Sequence, residues 1–249
     1  MALSRTHNQS RRRSSGLSPR QRLLLAGLIA SLALGSLWLG GRLLVSAFKS
    51  YQASRFLTSW EQQRQIPSEQ AWQVGLAAAE QAKAWYPGAN GQLEEQLGYF
   101  WQWRAQQLST QHQQVAQLAA QQQAISQFRQ ATQLRPQWPF AWVGLAYAKL
   151  VANELDAEFS HALSLAQVYG PERNPINARV AEIGLIAWDH LTTADQGLVL
   201  RSMHKTHAYG PSSRKRLFAL ASELQRLPWL CRQLADQRAP CPAAKEPQA

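Results

Sequence analysis

The chain has 249 residues and a formal charge of +11, with 45% hydrophobic and 16% charged residues. That length holds one domain of about 200 residues plus extensions. Seven of the positive charges are arginines in residues 1–48, which contain no acid, so residues 49–249 carry only +4. The high isoelectric point is therefore a property of the N-terminus, and no nucleic-acid partner is expected for the folded part.

Residues 1–22 are polar and Arg-rich, with no apolar period, and read as a basic cytoplasmic tail. Residues 23–41 follow without a single charge, a 19-residue run. At about 1.5 Å per residue this run nearly spans a hydrocarbon core of about 30 Å. Arg42 interrupts it and is expected to snorkel to the interface, and residues 43–48 continue apolar. Residues 23–48 are therefore expected to form a transmembrane signal-anchor. The one-sided arginines predict a cytoplasmic N-terminus and an exported C-terminal bulk. A cleaved signal peptide is the alternative, with Val45-Ser46-Ala47 as a small-residue cleavage site. The apolar run exceeds the usual length of such a segment, which favours the anchor. Arg11-Arg12-Arg13 lacks the apolar residues that a twin-arginine signal needs just after it.

Residues 49–236 are expected to form an all-α domain, because no stretch alternates at period two long enough for a sheet. Tyr51, Phe56, Leu57 and Trp60 mark an amphipathic helix leaving the membrane. Ser68 is a candidate cap for the helix carrying Trp72, Leu76, Ala79 and Ala82, which ends at the turn Pro87-Gly88-Ala89-Asn90-Gly91. Leu97, Phe100 and Trp101 mark the next helix, and the Gln-rich residues 102–133 read as a solvated helix face. After the joint at Gly170-Pro171, a helix is expected from 176 to 191. The next, capped by Thr192 or Thr193, precedes Gly210-Pro211. Ser212 or Ser213 then caps a last long helix, and residues 237–249 read as a flexible tail.

The most specific stretch is 124–171. Ile125, Phe128, Ala131 and Leu134 recur at helical spacing before the joint Arg135-Pro136-Gln137-Trp138-Pro139. Pro136 removes a backbone donor and biases Arg135 away from helix, whereas Pro139 suits the first turn of the next one. Ala124, Phe128, Ala131 and Pro136 match the end of a tetratricopeptide repeat in register, and Trp142, Leu145 and Ala146 match the start of another. Small residues there let helices approach and aromatics fill the groove, so Trp142 is expected to be buried. Lys149 is a polar intruder on this face. Phe159, Leu163 and Ala166 continue the pattern only after a one-residue shift. The expected architecture is one transmembrane helix followed by a tetratricopeptide-like helical-repeat domain, an α-solenoid.

Recognisable chemistry is sparse. Glu154, Asp156 and Glu158 are the densest acids, and paired carboxylates suit glycoside hydrolysis. They lie at an expected helix start, where capping and the helix dipole explain them better. His204 and His207 share a helix face but have no third ligand in view. There is no phosphate loop, nucleophile elbow or Cys-x-x-Cys pair, so no catalytic, metal or cofactor residue is assigned and no enzyme activity is expected. The ten tryptophans are expected to pack between helices, with sugar stacking as the alternative. Lys205, Arg214, Lys215, Arg216 and Arg226 make the C-terminal helices basic, either a solvated face or one that meets anionic glycan or lipid. Cys231 and Cys241 are a disulfide candidate for an oxidising compartment.

The block over residues 124–191 resembles the VpsP-type family of exopolysaccharide-biosynthesis proteins. Its carriers are Arg135-Pro136, Trp138-Pro139, Trp142, Leu145-Ala146, Lys149, the segment 155–159, Ala162-Leu163, Gly170-Pro171 and Ile183-Gly184-Leu185 with Trp188. Glu172 stands after Gly-Pro where an aromatic would match better. The resemblance implies a bacterial inner-membrane protein with its domain in the periplasm, serving extracellular polysaccharide production and carrying no catalytic constellation. The expectation is a scaffold that binds a protein of the synthesis or export machinery. A glycan-binding or glycan-acting envelope protein, using exposed Trp and acids, is the alternative.

Overall fold

The computed structural model describes residues 18–234. The basic tail up to residue 17, the flexible tail 237–249 and Cys241 lie outside the described residues. Among the described residues there are ten α-helices, one 3-10 turn and no strand. The helices are α1 (Pro19–Gln63), α2 (Glu69–Trp85), α3 (Gly91–Thr110), α4 (Gln114–Leu134), α5 (Pro139–Val151), α6 (Ala157–Tyr169), α7 (Asn174–Ala187), α8 (Thr193–Tyr209), α9 (Pro211–Glu223) and α10 (Leu227–Gln233).

Helix α1 starts on a capping box, with the Ser18 hydroxyl accepting from Gln21 and the Gln21 side chain accepting from the Ser18 N–H at 2.9 Å. It then runs unbroken for 45 residues, so the apolar run and the following amphipathic segment are one helix about 67 Å long. Its apolar window has a mean hydropathy of 2.0, and none of it is buried inside the protein, so this helix is long and apolar enough to cross a membrane. The C-terminal part of the helix, from Arg42 to Trp60, carries the domain. Arg42, expected to snorkel, instead donates to the carbonyls of Trp85 and Ala84 at 3.1 and 3.4 Å. Those carbonyls end α2 and have no partner within their own helix, which is what draws the guanidinium.

Each helix packs on its successor, and the odd-numbered helices also pack on one another, α1 on α3, α3 on α5, α5 on α7 and α7 on α9. Two kinds of connection recur and differ chemically, and the connection after α7, with its 3-10 turn, is of neither kind. Those leading from α2, α4, α6 and α8 contain Pro87-Gly88, Pro136, Gly170-Pro171 and Gly210-Pro211. Those leading from α1, α3, α5 and α9 contain a non-glycine residue with positive φ, namely Arg64, His112, Asn153 and Gln225. Caps are local: Ser68 on α2, Asn90 on α3, Asp156 on α6 and Thr192 on α8 accept from first-turn N–H groups. Neither Ser212 nor Ser213 caps α9, which begins at Pro211. Ser213 is buried and accepts from the Asn174 side chain at 3.1 Å.

The Gln-rich stretch spans two helices and is solvated only in part. It breaks at residues 111–113, and Gln107 and Gln121 are buried. Their amides donate to the carbonyls of Pro67 and Val151, closing backbone acceptors at the neighbouring turns. The region expected as helix up to residue 191 ends at Ala187 and tightens into a 3-10 turn over Trp188–His190. One core joins α4 through α10 around Phe128, Leu145, Leu163, Ile183 and Met203. A second joins α1, α2 and α3 around Trp60, Trp72 and Phe100, and Trp101 packs against both.

Candidate functional site

The repeat-signature residues fall at the α4–α5 joint. Ala124, Phe128 and Ala131 are buried on α4, Leu145 and Ala146 are buried on α5, and Pro136 is exposed between them. Trp142 corrects the expectation of burial. It is only half-buried, its ring edge-on to His161 at 5.7 Å, and its indole N–H donates to the Pro136 carbonyl at 2.7 Å. The joint is thus tied by a hydrogen bond rather than clasped by a core aromatic. Trp142→Ala is expected to cost about 1–2 kcal/mol in urea denaturation, and Trp142→Phe about 1 kcal/mol, since only the hydrogen bond is then lost.

The acidic cluster is organised by the residue that looked like an intruder. Lys149 is 1% exposed, and its ammonium donates to Glu154 Oε2, Asp156 Oδ2 and Glu158 Oε2 at 3.0, 3.0 and 2.9 Å. Arg129 of α4 holds Glu158 with two nitrogens at 2.7 and 2.8 Å. Asp156 also caps α6, accepting from the Phe159 N–H at 3.0 Å. The hydrogen bonds from Arg129, and then Lys149, outweigh burial and bring the Glu158 carboxyl down to about 2. For Asp156 the cost of burial is outweighed by the Phe159 N–H and Lys149, and its carboxyl also lies below the ordinary range. A carboxyl held ionised this strongly cannot protonate a leaving group near neutral pH. Sequence spacing placed the acids on one helix start but gave no sign that a lysine five to nine residues earlier fills the space between them.

A second charged group lies beside the joint. Glu95 of α3 is buried, accepts from the Trp138 indole at 2.9 Å and lies 3.9 Å from Arg135. Burial raises its carboxyl to about 7, against the smaller opposing pull of Trp138 and Arg135. The stability linked to a raised carboxyl is fully present below about 4.5 and is lost as pH rises through about 7. Denaturation of the wild type should therefore come at lower urea at about pH 8 than at about pH 5, by on the order of 2 kcal/mol. Glu95→Gln keeps an acceptor for Trp138 and is expected to remove that difference; an unchanged pH dependence in the variant would assign it elsewhere.

The apolar concavity lies elsewhere. Trp72 of α2, Trp101, Arg104 and Leu108 of α3, and Ala119 and Ala120 of α4 line a depression of about 400 Å³. Trp72 and Trp101 meet edge to face at 5.4 Å, and the Arg104 guanidinium lies 4.6 Å over Trp72, paired with Glu69 at the rim. Beside it α4 turns Val115 and Leu118 outward, 84% and 54% exposed. Most remaining tryptophans pack between helices, as Trp60 does with Phe100 and Trp103, and Trp188 with Trp229. On the odd-numbered helices, Arg179 of α7 lies 4.7 Å over Tyr147 of α5. His204 is exposed and His207 buried against Phe218, and no metal-sized group of ligands occurs among the described residues. Cys231 is disulfide-bonded on α10.

No family model, no curated protein and no solved structure matches the chain.

Proposed function

We propose that this chain is a membrane-anchored, tetratricopeptide-like scaffold on the periplasmic side of a bacterial inner membrane. It serves extracellular polysaccharide biosynthesis or export by binding a protein partner and not by catalysis. The observation that carries the binding reading is the depression between α2, α3 and α4. Its aromatic walls and alanine floor fit an apolar helix side chain, and the exposed Val115 and Leu118 extend the contact along α4. The alternation of Gly/Pro connections with positive-φ connections supports the repeat reading, because it holds from α1 to α6 and is interrupted only after α7. The Arg-rich N-terminal side of α1 supports the orientation. The polysaccharide assignment rests on the resemblance of residues 124–191 alone.

Against the glycan-acting alternative, Glu154, Asp156 and Glu158 are all engaged by Lys149. The test is a photo-crosslinking residue at Ala116 or Ala119 of the full chain in its native membrane. A defined adduct with a component of the polysaccharide machinery is expected, and Ala119→Trp, which fills the depression from an exposed position, should abolish it. No adduct from either site in a folded, correctly inserted protein would end the scaffold reading at this surface. Unchanged polysaccharide output on deletion of the gene, with the pathway active, would remove the pathway.

A further inference from the structure

Helix α1 sets the height of the domain above the membrane it is read to span. Its uncharged run ends at Gly41, and Arg42 and Ser46 then bind the last carbonyls of α2, Ser46 donating to Ala82 at 2.7 Å. The C-terminus of α2 is thereby fixed at the level where the hydrocarbon ends. Because successive helices alternate up and down, the connections after α2, α4, α6 and α8 all lie at that same end of the stack. Side-chain contacts link those after α4, α6 and α8 in a row. Arg135 stacks on Trp138 at 4.3 Å, and Arg173 lies 5.5 Å from the same ring. Lys205 donates to the Pro171 carbonyl at 2.7 Å, and Asn174 reaches Ser213 at 3.1 Å.

This end has its own composition. It carries Arg135, Arg173, Lys205, Arg214, Lys215 and Arg216, with Trp85 and Tyr209 exposed at 41% and 68%. Most of its carboxylates are taken up: Glu94 pairs with Lys83, Glu172 with Lys205, and Glu95 is buried, while Glu80 of α2 stays exposed. Glu69, Glu154, Asp156, Glu158, Asp189 and Asp195 sit at or near the opposite end. A shallow depression of about 360 Å³, lined by Arg135, Pro136, Gln137 and Trp138, opens beside Arg173, whose guanidinium has no acidic partner among the described residues.

We infer that these four connections form one basic, aromatic edge that lies on anionic phospholipid headgroups around the point where α1 leaves the bilayer. Guanidinium and ammonium groups meet headgroup phosphates there, and aromatic rings with a polar tip sit at the same depth. The depression beside Arg135 and Arg173 takes a headgroup phosphate. The domain is then held on the membrane by its edge as well as by its anchor, with the depression between α2, α3 and α4 left to a partner. This rests on α1 spanning the bilayer.

The test uses the full chain in nanodiscs of phosphatidylcholine alone or mixed equally with phosphatidylglycerol, read by amide hydrogen exchange. Exchange at residues 86–90, 135–138, 170–173 and 209–212 should slow in the anionic discs, while residues 64–68, 111–113 and 152–156 should exchange alike in both. Each basic side chain removed should weaken the contact roughly fivefold, so Arg173→Gln with Lys215→Gln and Arg216→Gln should abolish the lipid dependence. These side chains are exposed, and an unchanged thermal melt separates lost contact from lost fold. Equal exchange at both ends in both lipids, with the protein retained after an alkaline carbonate wash, overturns the edge contact alone. Release of the protein by that wash overturns the spanning helix and the edge contact together. Slowing by free inorganic phosphate to the same extent as by lipid would show a soluble anion site and overturn the lipid assignment.

Discussion

Replacing Glu154, Asp156 and Glu158 together by Gln, Asn and Gln is expected to destabilise the domain by about 3–5 kcal/mol, because it leaves a buried ammonium with no counter-charge. Lys149 is 1% exposed and donates to all three carboxylates. The acids themselves sit at the rim, so the penalty is not symmetric. Lys149→Met leaves carboxylates that water and Arg129 can still reach, and should cost about 1–2 kcal/mol. Combining Lys149→Met with the three amide substitutions removes both sides of the network and should recover most of the loss, since a buried ion pair is often replaceable by neutral groups of similar volume. Asn at 156 keeps the cap of α6, so the cycle reports charge and not capping. Chemical denaturation of the four variants checks this. A triple variant as stable as the wild type would mean that Lys149 finds water or another acceptor.

The same network predicts both ends of the pH curve. The Glu158 carboxyl falls from an ordinary value of 4.5 to about 2, so its contribution is complete above about 4.5 and is lost as pH falls towards about 2. For Lys149, burial opposes the charge, but the hydrogen bonds it donates to Glu158, Asp156 and Glu154 prevail and raise it from 10.5 to about 12. Its contribution is complete below about 10.5 and is lost as pH rises through about 12. A functional test that neutralises the three acids therefore confounds catalysis with folding. A drop in polysaccharide output would count against a scaffold only if the protein were shown to remain folded.

The helices were legible wherever the chain announces its breaks chemically. Pro87-Gly88, Pro136, Gly170-Pro171 and Gly210-Pro211 each end a helix in the structure as expected. The breaks the sequence does not announce are the positive-φ turn at residues 111–113 and the 3-10 turn after α7, which is of neither kind. His112 adopts φ 57° amid glutamines that all favour helix, and nothing local marks the turn. It forms because α3 and α4 bury more apolar surface folded on each other than extended, a decision made by Ala105, Leu108 and Ala120 at long range. The join of the anchor to the following helix shows the reverse. The anchor was expected to end at residue 48, yet no residue there stops a helix, and α1 continues to Gln63, with Arg64 after it in the left-handed region. The site was less legible than the fold. The pairing of Glu95 with Trp138, and of Lys149 with acids on the next helix, depends on how hairpins stack, which spacing within one helix does not reveal.

Phe128→Ala is expected to cost about 3–5 kcal/mol, a loss comparable to that of the charge network and from a different cause. The ring is 0% exposed, edge-on to Tyr99 at 5.1 Å. It lies against two glycines, Gly98 of α3 and Gly144 of α5. A methyl group at Gly98 would come within 2.8 Å of the ring, and Gly144 is closer still. One side chain on α4 thus occupies the seam where α3, α4 and α5 meet, and the glycines are what allow those backbones to close on it. Truncation leaves a cavity that three helices would have to collapse to fill, whereas Gly144→Ala overfills the seam and should cost about 1–3 kcal/mol. The two errors have opposite sign in volume. Phe128→Leu combined with Gly144→Ala should therefore be less destabilised than the sum of its single changes, and urea denaturation of the four proteins measures that coupling. Strict additivity would show that the ring and the α5 backbone do not share the seam. The same device recurs on α7, where Gly184 faces Val199 of α8. Gly184→Ala should likewise be eased by Val199→Ala, as expected if neighbouring helices are locked by a side chain set into a glycine.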